Sequence, residues 1–184
     1  MTTVLAANAG GLRVGLKVPD FTAQALVPDG KFKQINLSDY KGKWVVMFFY
    51  PLDFTFVCPT EIQGFNQLHP AFKKQNAEVI SVSTDSAFCH KAWVENGLGK
   101  VQFPMLADTN HVVSKLFGVL LEDQGIALRG TFILDPEGVL KSATVNELSV
   151  GRNVEETLRT LQALQTGELT GCGWKPGQKT LGKA

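Results

Sequence analysis

The pattern of hydrophobic and polar positions along the chain predicts strands that alternate with helices. Residues 44–50, WVVMFFY, form an unbroken apolar run rich in β-branched and aromatic side chains. Such a run is far shorter than the roughly 20 residues of a membrane span, and it is typical of a strand buried on both faces of a sheet. Residues 77–84, AEVISVST, predict a second buried strand, and residues 129–135, RGTFILD, predict a third.

Between these strands the apolar residues recur every three or four positions, which is the period of an amphipathic helix. The spacing predicts helices over residues 58–75 and 87–96, a short helix that ends at Gly118, and a clear helix near the end of the chain. Asn153 is a good N-cap for the last of these, and Gly167 stops it.

Turn residues complete the predicted fold. Pro28-Asp29-Gly30 predicts a small hairpin near the N-terminus, and the turn at 135–138 predicts a hairpin partner for the third strand. The order of elements predicts an α/β fold with a mixed central sheet flanked by helices. We expect one domain over residues 1–166, with a flexible lead-in over residues 1–15, and an irregular C-terminal tail over residues 167–184.

Composition narrows the function classes. The chain has 184 residues, and its 44% hydrophobic content is enough for one sizeable core. Eighteen Lys and Arg residues stand against seventeen Asp and Glu, so no basic face for nucleic acid is expected. Because the N-terminal segment lacks the features of a secretory signal, we expect a soluble, cytoplasmic protein with no membrane partner.

The three cysteines, at positions 58, 89 and 172, are too few and too scattered for a structural disulfide framework. Cys58 is predicted at the start of a helix, where free backbone N–H groups and the helix dipole favour the reactive thiolate. On residue type and position alone, a small buried structural cysteine is the more common outcome. The neighbours of Cys58 decide between these two interpretations.

Three neighbours favour chemistry at Cys58. Pro51 directly follows the first buried strand and would fix the loop that leads to the cysteine. Thr55 offers a hydroxyl that can donate to a thiolate or to an incoming oxygen. Glu61 stands where the second cysteine of a Cys-x-x-Cys pair would be, and its charge would oppose a thiolate unless it holds an arginine.

The stretch PLDFTFVCPTE, residues 51–61, resembles the active-site signature of the peroxiredoxins, Pro-x-x-x-Thr-x-x-Cys. The resemblance extends from about Leu16 to Trp174 through the segments VPDFTAQA, STDSAFCHKAW, RGTFILDPEGVL, TVNELSVGRNVEETLR and GWKPGQ. These segments are similar to the typical two-cysteine branch, that of alkyl hydroperoxide reductase C and thioredoxin peroxidase. The resemblance implies a thioredoxin-like fold with an N-terminal hairpin extension, and an antioxidant thiol peroxidase for hydrogen peroxide and alkyl hydroperoxides.

The same resemblance assigns roles to residues. It implies that Cys58 is the peroxidatic cysteine, whose thiolate attacks the peroxide and becomes a sulfenic acid. The cation that matches the family pattern is Arg129, which would stabilise the thiolate and the leaving oxygen while Glu61 orients it. Without the resemblance, a solvated arginine at a strand start would be favoured for Arg129. Arg152 is a second candidate for this network, and a surface arginine before a helix is almost as good an interpretation.

The resemblance also implies that Cys172 is the resolving cysteine, which pairs with Cys58 of the partner chain in a head-to-tail homodimer. Here Cys172 lies two positions nearer to Trp174 than in the usual family pattern, and no proline follows it. Its local geometry is therefore open, and an incidental tail thiol is the alternative. Cys89 lies in a short apolar helix and is expected to be a core or interface thiol.

Partners and cofactors follow from the same comparison. The resemblance implies rings of five dimers, with thioredoxin or a flavoprotein disulfide reductase as electron donor. Phe54 and Phe88 could serve the ring contact, although a core position is their default interpretation. The chain has no metal-ligand spacing and no dinucleotide fingerprint, so we expect neither metal nor cofactor. The rival functions are a thiol–disulfide oxidoreductase on the same fold and a holdase chaperone.

Overall fold

The structure, a computed structural model, describes residues 12–183 of the chain. Its strands are β1 (Thr22–Leu26), β2 (Phe32–Asn36), β3 (Trp44–Phe49), β4 (Ala77–Ser83), β5 (Met105–Ala107), β6 (Leu120–Leu121), β7 (Ile126–Ala127), β8 (Arg129–Leu134) and β9 (Leu140–Asn146). Its α-helices are α1 (Cys58–Lys74), α2 (Ala87–Trp93), α3 (Val112–Leu116) and α4 (Val154–Gln165). Most of the lead-in expected over residues 1–15 lies outside the described residues.

Seven strands form one mixed sheet in the order β2-β1-β5-β4-β3-β8-β9. The first and last pairs are hairpins: β1 pairs antiparallel with β2, and β8 pairs antiparallel with β9. The central strands β3, β4 and β5 run parallel, because helices connect them across the sheet. The two predicted turns contain Gly30 at φ +80° and Gly138 at φ +80°, a backbone conformation that glycine adopts without steric cost.

The strand β3 separates two hydrophobic cores, which explains its unbroken apolar sequence. Successive side chains of a strand point to opposite faces of the sheet. One face carries Val45, Met47 and Phe49 into a core with α3, and the other carries Val46 and Phe48 into a core with α1 and α4. Both faces are therefore buried, as the apolar run predicts.

The core under α1 brings the first turn of this helix onto the sheet. Phe65 of α1 stacks on Phe48 of β3 with ring centroids 4.0 Å apart, and Leu161 of α4 is buried in the same core. The cysteine that begins α1 lies in this core as well. Packing of α1 on the end of β3 thus fixes where the Cys58 sulfur lies.

Gly130 allows a close approach beside the site. A Cβ atom at this position would lie 2.6 Å from the Phe132 ring and 2.8 Å from Val119 Cγ1, which is closer than real contacts allow. The neighbouring residue Arg129 begins β8. Because Gly130 has no side chain, the first residues of β8 can pack tightly. Any larger residue would displace the segment that carries Arg129.

The predicted elements are confirmed with a few corrections. The expected mixed sheet flanked by helices, the N-terminal hairpin and the irregular tail are all present. The short strands β5, β6 and β7 were not predicted, and the helix expected over 87–96 ends at Trp93, where a π-helical segment Val94–Leu98 follows. The division into a domain over 1–166 and a tail stays a prediction. Within residues 12–183 no helix has the length and apolar character needed to cross a bilayer.

Candidate active site around Cys58

Cys58 is the first residue of α1 and is completely buried. Val57 is the N-cap residue, and its carbonyl accepts bonds from the backbone N–H groups of Thr60 and Glu61. Pro59 occupies the second helical position, where its missing N–H costs no helical bond. The predicted junction of a strand, a loop and a helix start is confirmed.

Arg129 lies beside the Cys58 sulfur. Its Nη1 is 3.5 Å from Sγ of Cys58 and donates a 2.6 Å hydrogen bond to Oε2 of Glu61. Its Nε donates to the backbone carbonyl of Leu148 at 2.7 Å. The side chain is 5% exposed, so the interpretation of Arg129 as a solvated residue is wrong. The expected proximity of cysteine, arginine and carboxylate is present in the structure.

Arg152 belongs to the same cluster. It donates to Oε1 of Glu61 through both its backbone N–H and its Nε, at 3.1 and 2.8 Å. Its Nη1 donates to the carbonyl of Gly130, and its guanidinium carbon lies 5.3 Å from the centroid of the Phe48 ring. The surface interpretation of Arg152 is therefore wrong. Burial lowers the pKa of Arg152, and the carboxylate of Glu61 opposes this effect.

The charges of this cluster do not balance without the sulfur. Two buried guanidinium groups and one buried carboxylate leave one positive charge in a region of low dielectric. A thiolate at Cys58 would balance that charge at a contact distance of 3.5 Å. The carboxylate of Glu61, which alone would oppose a thiolate, is thus occupied by two arginines.

One loop supports both arginines. Residues 147–152 follow β9 and provide the Leu148 carbonyl that holds Arg129, and they also include Arg152. Within this loop Ser149 donates its N–H and hydroxyl to the Glu147 carboxylate, and these bonds, with Arg129 nearby, lower the pKa of Glu147. No local pattern indicates the Leu148 contact, because it involves a backbone atom.

Pro51 and Thr55 lie on the loop between β3 and α1. Pro51 is buried at the end of β3. The Thr55 hydroxyl donates to the carbonyl of Leu52 at 2.9 Å, which keeps it on this loop ahead of Cys58. The backbone of Phe54 is left-handed, with φ +55°, an uncommon conformation for a bulky residue. The predicted roles of Pro51 as a shield and of Thr55 as a donor stay predictions.

A buried polar network beneath this loop was missed by the sequence analysis. Nδ1 of His90 lies 2.7 Å from Oδ2 of Asp53, and its Nε2 lies 3.1 Å from the Leu106 carbonyl. Tyr50 donates its hydroxyl to Oδ1 of Asp53, and burial together with Asp53 raises the pKa of Tyr50 well above its ordinary value. Both ring nitrogens of His90 thus lie within hydrogen-bond distance of an oxygen atom.

This network fixes the loop before Cys58. The backbone N–H of Asp53 donates to Asp85, so the loop is attached to α2 through His90 and to the end of β4 through Asp85. The three residues Tyr50, Asp53 and His90 come from a strand, a loop and a helix. No linear spacing connects them, and the only available signal was a polar Asp within an otherwise apolar segment.

Cys89 has an environment unlike that of Cys58. Burial, followed by the carboxylates of Asp53 and Asp85, raises the pKa of the half-exposed Cys89 thiol to about 12. Its sulfur and one oxygen of each carboxylate lie within 4.8 Å of one another, the one such group of metal-type ligands in the described part of the chain. The Asp85 oxygen already accepts bonds from Asp53 and Ser83, and a thiol with so high a pKa does not suit a nucleophile.

Cys172 lies on the surface of the tail. It is exposed and occupies a turn in which the N–H of Trp174 donates to the carbonyl of Gly171 at 3.1 Å. The side chain of Trp174 is buried, whereas that of Cys172 is not. Cys58 and Cys172 are both free thiols in the structure.

Three aromatic side chains near the site are exposed. Phe54, Phe56 and Phe88 are 55%, 95% and 67% accessible. The core interpretation of Phe54 and Phe88 is therefore wrong. Phe88 contacts Phe32 of the N-terminal hairpin, with ring centroids 4.8 Å apart, and otherwise faces outward.

The fold, together with a buried cysteine held beside an arginine at a helix start, defines a thioredoxin-like protein with a candidate redox thiol. Residues 14–143 match the profile of the AhpC/TSA family, and the chain belongs to this family. It is 52% identical over 183 residues to peroxiredoxin-1 of Gallus gallus, a match that covers 95% of this chain and 92% of the relative. It is 54% identical over 178 residues to the chloroplastic 2-Cys peroxiredoxin BAS1 of Spinacia oleracea, covering 91% of this chain and 67% of that protein.

Solved structures of a 2-Cys peroxiredoxin and of an AhpC superpose on this chain. The reduced 2-Cys peroxiredoxin of Plasmodium vivax superposes with a TM-score of 0.88 at 36% identity, over 90% of this chain and 91% of that one. The AhpC of Enterococcus faecalis superposes with a TM-score of 0.82 at 44% identity, over 84% of this chain and 93% of that one. The predicted resemblance to the peroxiredoxins and the predicted thioredoxin-like fold are confirmed.

Proposed function

We propose that the chain reduces hydrogen peroxide and alkyl hydroperoxides through a sulfenic acid at Cys58, and that it serves antioxidant defence. The single observation that supports this chemistry best is the 3.5 Å contact of Arg129 Nη1 with Cys58 Sγ, inside a cluster that carries one unbalanced positive charge. Relatives named peroxiredoxin and thioredoxin peroxidase place the chain in a peroxidase class, which confirms the prediction of an oxidoreductase.

The first step follows from this geometry. The Cys58 thiolate attacks the terminal peroxide oxygen, an S–O bond forms and the O–O bond breaks. The second oxygen leaves with the electron pair and takes a proton, which gives water or an alcohol. Negative charge moves from sulfur to the leaving oxygen, so a fixed cation beside the sulfur stabilises the transition state. Arg129 is that cation and Glu61 orients it. Thr55 supplies a further donor when its hydroxyl turns from the Leu52 carbonyl to the peroxide.

The second step requires movement. Cys58 is completely buried, so its sulfur can meet another thiol only if the loop at 51–57 and the first turn of α1 open. We assign the resolving role to Cys172, which is exposed, and the disulfide to a pair of chains. Exposed aromatic residues beside the site support a homodimer and a decamer built from it, as does the outer edge of β9, which pairs with no strand of residues 12–183.

The disulfide is then recycled by thioredoxin or by a flavoprotein disulfide reductase. We place the protein in the cytoplasm, as the sequence predicts, although three similar relatives are named as chloroplastic. A thiol–disulfide oxidoreductase is the weaker alternative, because Glu61 occupies the position of its second cysteine and bonds two arginines.

The test is non-reducing mass analysis of the reduced protein after one equivalent of hydrogen peroxide. We expect a dimer linked through Cys58 and Cys172, no reaction in Cys58→Ser, and a single turnover without a disulfide in Cys172→Ser. Cys89→Ser is the matched control and should behave like the unaltered chain. Peroxide consumption that survives in Cys58→Ser would contradict the proposal.

A further inference from the structure

Arg159 is held rigidly on α4, close to the tail. Its Nε and Nη2 donate to the two carboxylate oxygens of Glu156, one turn earlier, at 2.6 and 2.7 Å. A bidentate pair of this kind fixes the plane of a guanidinium group. Because both donors on one edge are used by Glu156, the Nη1 group is left to face the tail.

This remaining group bonds the turn that carries Cys172. Nη1 of Arg159 donates to the carbonyl of Trp174 at 2.9 Å, two residues after the cysteine. The turn itself is closed by the Trp174 N–H to Gly171 bond, and Gly173 adopts φ +67° within it. The Trp174 indole donates to the carbonyl of Gln178 at 3.0 Å, so the carbonyl that Arg159 holds belongs to an anchored residue.

An open cavity of about 540 Å³ lies between α4 and the tail at this place. Arg159, Ala163, Leu164 and Cys172 are among its lining residues. Hydrogen bonding to Glu156 raises the pKa of Arg159, and the nearby Cys172 sulfur acts in the same direction, in agreement with their closeness. The cysteine thus borders a space that another chain segment can enter.

We infer that Arg159 is a positioning residue for resolution: by holding the Trp174 carbonyl it keeps Cys172 at the rim of this cavity, where oxidised Cys58 of a second copy arrives. The inference rests on the proposed function of Cys58 and Cys172. In the step concerned, the Cys172 thiol loses its proton and its sulfur forms a bond to the Cys58 sulfur. The S–O bond of the sulfenic acid breaks, and hydroxide leaves as water with that proton, so no further oxidant or reductant is needed.

Position matters in this step because the sulfenic acid has a competing fate. Excess peroxide oxidises it further to sulfinic acid, so the sulfinic fraction depends on how quickly Cys172 attacks. A thiol held near its productive position reacts much faster than one that samples a mobile tail. Loss of the Arg159 contact should therefore slow disulfide formation and leave the earlier attack on peroxide unchanged.

The test compares Arg159→Gln with the unaltered chain in two separate measurements. Sulfenic acid formation is followed in a Cys172→Ser background, and disulfide formation is followed after one equivalent of peroxide. We expect an unchanged first rate and about 10-fold slower disulfide formation. The sulfinic fraction of Cys58 at a fixed molar excess of peroxide, read by mass, should rise accordingly. Glu156→Gln loosens the same guanidinium. It should also slow disulfide formation and raise the sulfinic fraction, but by less than Arg159→Gln.

Controls separate positioning from general damage. Arg159→Lys keeps the charge and should restore part of the disulfide rate, and Lys74→Gln, which removes an exposed cation at the end of α1, should change neither rate. Equal or faster disulfide formation in Arg159→Gln would overturn the inference and leave the proposed function intact. Absence of any peroxide reaction in the unaltered chain would instead refute the proposed function. If Arg159→Gln fails to fold, Glu156→Gln and Arg159→Lys decide the question by the same criteria.

Discussion

The segment around Cys58 is buried and held by charges, whereas the segment around Cys172 is exposed and held by a glycine-flanked turn. Cys58 contacts a guanidinium that is itself bonded to a buried carboxylate. Cys172 has glycines on both sides, and the carbonyl of Trp174, two residues later, accepts a bond from Arg159 of α4. In the proposed function, the first environment serves attack on peroxide, and the second presents a thiol that has to meet Cys58 of another chain.

This difference separates the two chemical demands of a peroxide-reducing cysteine pair. Attack on a peroxide needs donors already in place, because reorganising charged groups during the reaction would cost free energy. Disulfide formation needs two Cα atoms within about 7 Å of each other, which a fully buried sulfur cannot achieve without local opening. We therefore expect substitutions in the two regions to affect different steps, and four experiments test this expectation.

The largest effect is expected from Arg129→Gln. Loss of the cation beside Cys58 Sγ should lower the rate of sulfenic acid formation by about 10²–10³-fold, the usual consequence of removing one preorganised donor. Stopped-flow measurement of the first step at neutral pH gives this rate. Arg159→Gln is the matched control in the other region and should leave the same rate unchanged. An Arg129→Gln protein that forms the sulfenic acid at the original rate would contradict the role of Arg129 in the first step.

Glu61→Gln tests the charge cluster by stability. The substitution leaves two buried arginines without a carboxylate, and removal of one partner from a buried ion pair costs about 3 kcal/mol. Denaturant unfolding at neutral pH measures this loss. Glu168→Gln, in the tail, removes an exposed carboxylate that accepts a bond from Thr180, and it should cost less than about 1 kcal/mol. Similar losses in the two variants would contradict the assignment of a rigid and a loosely held region.

Trp174→Ala tests how the tail is attached. The Trp174 side chain is buried, so its loss should cost about 2 kcal/mol of local protection without unfolding the body. Hydrogen exchange of amides at 169–178 reports on this region, and exchange in β3 serves as the internal reference. Trp174→Phe keeps an aromatic ring and should preserve most of the protection. Equal loss of protection in β3 would mean that the tail and the body unfold together.

The smallest effect is a pH dependence of the Arg159 contact. Hydrogen bonding to Arg159 lowers the pKa of Glu156 below its ordinary value of 4.5. A lowered pKa in the folded state stabilises the protein above the unfolded value, and this stabilisation disappears as the pH falls through the folded pKa. Glu156→Gln should therefore be less stable by under about 1 kcal/mol at pH 7, as for other exposed pairs. Unfolding curves of both proteins should converge as the pH falls below 4.5, and a difference that grows in acid would contradict this account.

Local patterns were sufficient for much of this architecture. The apolar run at 44–50 predicts a central strand because both of its faces are buried, and Asn153 predicts the start of α4 because its side chain accepts a bond from the N–H of Glu156. The position of Cys58 at a helix start follows from the same reasoning. The pairing of Glu61 with Arg129 was predicted from resemblance, and the residues alone favoured a solvated arginine.

Other features depend on contacts that no local pattern encodes. Strand β5 has three residues, too few for a detectable period, and it is defined by its pairing with β1 and β4. The His90–Asp53 pair joins residues from α2 and the loop after β3. Phe54 and Phe88 look like core residues by type, and only their positions on the folded surface reveal that they are exposed.

The left-handed backbone of Phe54 has a consequence for the timing of catalysis. A non-glycine residue in this conformation stores on the order of 1–2 kcal/mol, and the surrounding contacts must hold it there. Phe54 lies four residues before Cys58, on the segment that the proposed function requires to open between the two steps. Opening of the loop at 51–57 releases this energy, which lowers the free-energy cost of opening. In the proposed function, the Cys58 sulfenic acid therefore persists for a shorter time before it meets Cys172.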